Sequence, residues 1–400
     1  MTILLAGLLF LAPAAARAAT SPTTLSVCDD VSDPLTLDPH KEFSEKNHTI
    51  IQQIFDGLVR FSPEGAIEPA LATQWRRLDS NTMQFTLREG VSFHNGEPFN
   101  AASVKFSVER YLDPATGFPA LGFIDAIDRV EIVTDTLVNV ITKRPDGLLL
   151  NRLAGFIVMV PPKYYREHGE ETLSGKPVGS GAFEFVSWEK GRSIELKANR
   201  AYWKRGFPKI DALSFQFIPT QEQFAALKAG KIDLLTEMPG TRTAEAMRTG
   251  FLKVLKTPSF YTVTGALDAS RPPLSDKRVR QALNHSINKE ELIRYDLLGN
   301  GREIATVTMP GEEGHNARLK PYSYDLKRSR RLMREAGYPD GFALRALAKV
   351  QSERAAKILR GQLAKIGIQL DVHLTADAEM IKALTGGRWD VFISNCPDPM

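Results

Sequence analysis

The sequence predicts an α/β protein of several folding units, with mixed sheets and crossover helices, and three observations carry that expectation. The chain has 400 residues, and a single hydrophobic core stops growing near ~250–300. Its last third reads as strand, helix, strand: Phe342–Ala348 has a strand pattern, Ser352–Ile366 a helical one stopped by Gly367, and Ile368–Leu374 alternates. That order implies parallel pairing across a helix. Upstream, Gln221–Ala229 reads as a helix ending at Gly230 and followed by the strand Ile232–Leu235. A composition of 43% hydrophobic and 24% charged residues excludes a disordered or fibrous chain.

From the start of the chain, Ile3–Leu11 is an apolar run too short for a bilayer, which needs ~20 residues. Ala16-Arg17-Ala18 supplies the small residues of a cleavage site, so residues 1–18 read as a secretory signal peptide. No Lys or Arg follows Met1, and the natural start is expected upstream. Thr24–Val27 is a strand, and Asp33–His40 a Pro- and Asp-punctuated connection. Asn47–Val59 places Ile50, Ile51, Ile54, Phe55 and Leu58 on a helical stripe. Met83–Leu87 alternates as a strand, and Asn100 caps a helix through Tyr111. Val130–Thr142 forms a hairpin across Asp135 and Thr136, and the apolar run Phe156–Val160 is a buried strand. Gly175–Gly181 is expected to be a flexible crossover. Ala182–Val186 and Ser193–Ala198 follow as strands, then Asp276–Asn284, Lys289–Leu298 and Ser323–Ala336 as helices.

Several chemistries find no support. The 51 basic and 47 acidic residues are mixed along the chain, without a basic block to neutralise phosphates, which argues against nucleic acid. Seven histidines include no i, i+4 pair beside a carboxylate, and Cys28 and Cys396 are too few for a Cys-rich metal site or a disulfide framework. A Cys28–Cys396 bridge is left open by spacing. No G-x-S-x-G elbow and no S-x-x-K set occurs; a triad assembled by geometry alone would escape this search. No cofactor is expected. Nothing after residue 18 approaches membrane-spanning length, so the mature protein is expected to be exported and soluble.

Ala70-Leu71-Ala72-Thr73-Gln74-Trp75, then Met83–Arg88 and Glu89–Ala101 (EGVSFHNGEPFNA), resemble the signature of the bacterial extracellular solute-binding proteins of family 5, which bind dipeptides, oligopeptides or nickel. Leu37-Asp38-Pro39-His40 and Phe55-Asp56-Gly57-Leu58 resemble that family's opening. Pro177–Phe183, Asn199–Trp203, Gly230–Asp233, Val279–Leu283 and Ala336-Gly337-Tyr338 follow in its order.

The resemblance implies a two-lobed periplasmic binding protein of type II, three-domain and cluster C-like. Residues 19–55 and 175–258 would form domain I, 56–174 an inserted domain II, and 259–400 domain III. Relatives continue beyond the position of Met400, so domain III and the return to domain I are expected to be incomplete, and ligand binding by the isolated chain weak. The implied function is the substrate-binding component of an ABC importer, a monomer that closes over a di- or oligopeptide and delivers it to an inner-membrane permease. Nickel chelates, opines and oligosaccharides are same-class alternatives, and a secreted hydrolase the alternative of another class. Main-chain contacts to an extended peptide would come from Phe43, Ser44 and Glu45, and from Ser394, Asn395 and Cys396 after the last strand. Asp398 would meet the peptide amino group, Lys349 its carboxylate, and Phe118 and Phe123 would wall the cleft.

Overall fold

The computed structural model describes residues 23–28, 33–236, 238, 240–256, 261–306, 308, 315–376 and 379–397. The expected signal peptide, residues 1–18, lies outside them. The chain divides into two compact units, Met1–Glu237 and Met238–Met400. Among the described residues no helix is long and apolar enough to cross a membrane.

The first unit opens with β1 (Thr24–Cys28) and α1 (Glu45–Ile54). A short pair, β2 (Val59–Phe61) and β3 (Ile67–Pro69), leads to β4 (Ala72–Arg77) and β5 (Thr82–Leu87). Next come α2 (Ala101–Leu112), α3 (Leu121–Ile124), β6 (Ile127–Thr134) and β7 (Leu137–Thr142). Three short helices follow: α4 (Leu149–Phe156), α5 (Pro162–Glu167) and α6 (Glu170–Gly175). The unit closes with β8 (Phe183–Glu189), β9 (Ser193–Ala198), β10 (Ala212–Gln216), α7 (Thr220–Lys228) and β11 (Leu234–Leu235).

Its largest sheet is mixed, ordered β11-β1-β10-β9-β8, with β1 parallel to both neighbours. A second, antiparallel sheet runs β4-β5-β7-β6. The expected hairpin is β6–β7, whose strands turn at Asp135 and Thr136. On β7 the alternation is realised residue by residue, Val138, Val140 and Thr142 being buried, and each buried Val stabilises the fold by about 1.5–3 kcal/mol. Asn100 caps α2 as expected, its Oδ1 accepting from the N–H groups of Ala102 at 3.0 Å and Ser103 at 3.2 Å.

Two expectations in this unit fail for the same reason. The helix predicted over Asn47–Val59 stops at Ile54, and Phe156–Val160 is the end of α4 and then an irregular buried segment. Each backbone finds isolated partners in place of a ladder: Met159 N–H donates to Asp56 O at 2.9 Å and Val160 N–H to Ser107 Oγ at 2.9 Å. Once those groups are satisfied, an apolar run has no need of a strand.

The second unit holds α8 (Gly240–Arg248), β12 (Tyr261–Leu267), α9 (Lys277–Ser286), α10 (Lys289–Tyr295) and α11 (Leu326–Glu335). The β-α-β expected from the sequence follows as β13 (Phe342–Lys349), α12 (Glu353–Ala364) and β14 (Ile368–Thr375), with β13 and β14 parallel over eight pairs. Then come α13 (Met380–Gly386) and β15 (Val391–Pro397). The sheet order is β12-β15-β13-β14. β15 is parallel to β13, and β12 antiparallel to β15 makes the sheet mixed. Leu344, Ala346, Ala348, Ile368 and Ile393 bury its inner face against Val279, Leu283, Met333 and Leu363. Asp276, Asn288 and Asp325 cap α9, α10 and α11, each worth about 1 kcal/mol.

Candidate functional site

The motif-bearing residues of the first unit form two enclosed carboxylate nodes. In Leu37-Asp38-Pro39-His40, Asp38 is fully buried and receives both arms of the Arg110 guanidinium, at 3.1 and 2.8 Å. His40 N–H donates to Asp38 at 3.1 Å, and the imidazole Nε2 reaches the Ser107 carbonyl at 3.2 Å. Burial acts to raise the Asp38 carboxyl, but the hydrogen bonds and charges of His40 and Arg110 outweigh it and hold it well below the usual carboxylate range. Tyr111 and Tyr165 close the node over the His40 ring, with centroids at 4.0 and 5.7 Å.

The second node is Asp56 of Phe55-Asp56-Gly57-Leu58. It accepts from Ser180 Oγ, Tyr202 OH and Trp203 Nε1, each at 3.0 Å. Burial pushes its carboxyl up to about 6, against the pull of those three donors. The Gly175–Gly181 stretch is no flexible crossover: a Cβ on Gly179 would lie 2.0 Å from Ile54 O, and one on Gly181 2.5 Å from Gln53 O. Glycine is required there because the backbone seats directly on the end of α1. Both nodes are saturated by their own chain, so they brace the scaffold and leave nothing to offer a ligand.

The expected ligand residues of this unit lie elsewhere. Ser44 is the N-cap of α1, its Oγ accepting from Asn47 N–H at 3.2 Å, and Glu45 is the first residue of that helix. Phe43 packs on Phe156 at 4.9 Å and edge-on against Phe118 at 6.1 Å, while Phe123 stacks on Phe156 at 5.2 Å. One aromatic array therefore links Phe43, Phe118 and Phe123 through Phe156, a residue the sequence reading did not nominate. Phe118 is only 4% exposed and backs the array from the core, whereas Phe123 is 54% exposed.

In the second unit the expected residues fall within a strand, not after one. Ser394, Asn395 and Cys396 belong to β15 and pair with Thr264, Val263 and Thr262 of β12. On its other side β15 pairs with β13 through Ala346↔Val391, Leu347↔Phe392 and Ala348↔Ile393. Lys349, the last residue of β13, is one register step past that final pair, beside Ser394. Asp398 and the Cys396 side chain lie outside what is described, and with them the Cys28–Cys396 question.

Two polar atoms that no sequence signal marked flank these segments. Oδ1 of Asn47, three residues after Ser44, and Oγ of Ser352, three after Lys349, are buried without a hydrogen-bond partner among the described residues. Leaving such a group unsatisfied costs about 1–3 kcal/mol. The turn Val350–Ser352, which follows Lys349 directly, packs against β15.

A cavity of about 470 Å³ lies at the opposite, N-terminal end of β15, lined by Leu267, Asp268, Arg271, Trp389, Asp390 and Phe392 among others. Arg271 already spans Asp268 at 3.0 Å and Asp390 at 2.9 Å, and none of the expected ligand residues lines it. Among the described residues no group of three His, Cys, Asp or Glu side chains is gathered to hold a metal ion.

A family model described as bacterial extracellular solute-binding proteins, family 5 Middle, matches residues 66–398. Among curated proteins, the glutathione-binding protein GsiB of Pectobacterium atrosepticum is 28% identical over 344 residues, covering 84% of this chain and 66% of its own length. The chain thus spans about two thirds of the length of the curated relatives it matches. Among solved structures, the periplasmic binding protein DppA from Helicobacter pylori in complex with the peptide STSA aligns with a TM-score of 0.77 and 26% identity, over 94% of this chain and 78% of that one. AgaA from A. tumefaciens R10 in complex with agropinic acid aligns with a TM-score of 0.72 and 27% identity, over 93% and 77%.

Proposed function

The chain belongs to the bacterial extracellular solute-binding proteins of family 5, and from that premise we propose that it is the periplasmic substrate-binding component of an ABC importer, capturing di- or oligopeptides for the membrane permease. The observation that carries this reading is the match of residues 66–398 to the family model, together with the alignment to a peptide-bound periplasmic binding protein at a TM-score of 0.77. Ser394, Asn395 and Cys396 of β15 are the main-chain segment along which an extended peptide would lie in this reading. Lys349 and the buried, unpartnered Ser352 hydroxyl beside it suit a peptide's carboxylate and polar backbone. In the first unit, Phe43 and Phe123 supply apolar wall, with Phe118 behind them, next to the main chain of Ser44 and Glu45 and the Asn47 amide.

In this reading residues 19–55 and 175–258 would form domain I, 56–174 domain II and 259–400 domain III, which supplies the β15 segment, with Asp398 serving the peptide amino group. The role in this reading is binding, in keeping with the solute-binding family and the binding proteins it resembles. The glutathione- and peptide-binding names of the relatives favour a peptide; the agropinic acid in AgaA favours an opine as the second reading. Native mass spectrometry of ligand co-purified from a periplasmic fraction separates them. A peptide adduct is expected; an opine or other non-peptide adduct, with no melting-temperature rise across a di- to pentapeptide library, would discard the peptide assignment.

A further inference from the structure

The even mixing of charge expected from the whole-chain totals fails in one stretch. Arg318, Lys320, Lys327, Arg328, Arg330, Arg331 and Arg334 face a single acidic residue, Asp325, between positions 318 and 334. The second unit as a whole carries 26 Lys and Arg against 18 Asp and Glu, the first 25 against 29, so the positive excess belongs to the second unit.

α11 displays this charge on one surface. Its Ser329 and Met333 are buried, Ser329 Oγ donating to Ala282 O of α9 at 2.7 Å, while Lys327, Arg328, Arg330, Arg331 and Arg334 are all exposed. Asp325 is spent on the helix cap, accepting from Arg328 N–H at 2.9 Å. Arg330 donates to Lys365 O, and Arg331 meets Glu335 only at 3.7 Å. Among the described residues no ion pair is recorded for Lys327, Arg328 or Arg334. Beside them Tyr324, 41% exposed, lies under the Lys365 ammonium at 5.9 Å, and Tyr322 is 39% exposed on the same approach to the helix.

Unpaired cations on long flexible stems, bordered by exposed rings with a polar tip, suit the headgroup layer of an anionic bilayer, where such side chains bury their stems and keep their charge hydrated. The apolar side of α11 is committed to the core, so contact would be peripheral, electrostatic and sensitive to salt. We propose that the α11 face of the second unit is a docking surface for anionic phospholipid headgroups, independent of which ligand the protein carries.

The test is co-sedimentation of the full chain with phosphatidylglycerol–phosphatidylcholine vesicles against phosphatidylcholine alone. Binding to the anionic vesicles should be greater by about tenfold and should vanish near about 0.5 M salt. The triple variant Lys327→Glu, Arg328→Glu, Arg334→Glu should lose it. Arg205→Glu, Lys231→Glu, Lys253→Glu, which changes net charge equally at other exposed positions, should keep it, with both variants melting like the parent. Equal binding to both vesicle types, or equal loss in both variants, overturns the proposal. So does displacement by polyglutamate at matched charge, which would assign the face to an acidic protein.

Discussion

The two units use polar groups in opposite ways. The first encloses carboxylates and surrounds each with donors, as at Asp38 and Asp56. The second keeps its charge outside, on α9, α11 and α12, and buries neutral hydroxyls and amides: Ser329 donating to Ala282 O, Gln362 bridging to Asn288, and Ser352 left without a partner. A saturated buried node makes a rigid, strongly specified scaffold with nothing left for a ligand, whereas an unsatisfied buried group stores the capacity to bind. The motifs most readable in the sequence therefore mark the bracing, and the residues proposed for binding lie outside them.

The contrast is most exposed to failure at Asp38. Asp38→Ala leaves the partly buried Arg110 guanidinium without its carboxylate and the His40 N–H without its acceptor, and should destabilise the first unit by about 3 kcal/mol, read as a lower denaturation midpoint; a loss under 1 kcal/mol would mean the node is not structural. Gly179→Ala drives a Cβ onto the Ile54 carbonyl and should cost about 3 kcal/mol, the upper end for overpacking, because backbone cannot swing aside.

Asp56 gives the pH arm. Its folded carboxyl is raised to about 6 from 3.8, so the folded state holds the proton more tightly than the unfolded chain. The associated stability is present below pH 4 and is lost as pH rises towards 6, about 3 kcal/mol in all. Asp38 has the opposite sign: its depressed folded pKa contributes stability above pH 4 that disappears on acidification. Chemical denaturation of Asp56→Asn should lose the first slope and keep the second.

Ser352→Ala sharpens the comparison from the other side. Removing an unsatisfied hydroxyl should leave stability unchanged or raise it by about 1 kcal/mol, while peptide affinity by calorimetry falls about tenfold. Equal loss of both would reduce Ser352 to a packing residue. Smallest of all, Gly361→Ala in α12, where a Cβ meets nothing within 4 Å, should stabilise by about 0.5–1 kcal/mol through helix propensity, against the large cost of the same change at Gly179.

Much of the architecture was legible in the chain itself. The period-2 runs at β5, β7 and β14, the cap Asn100, and the stops at Gly230 and Gly367 are local effects of side-chain direction and backbone freedom, and each falls where the sequence placed it. Only tertiary structure decided the rest. It ended α1 at Ile54 by giving the Asp56 side chain three donors and seating Gly179 on the helix end, and it kept Phe156–Val160 out of a sheet by satisfying its N–H groups singly. It set Ser394 inside β15 with Lys349 beside it, and left Asn47 and Ser352 unsatisfied. Those outcomes depend on partners from 45 to well over 100 residues away, and no local pattern records which distant donor will arrive.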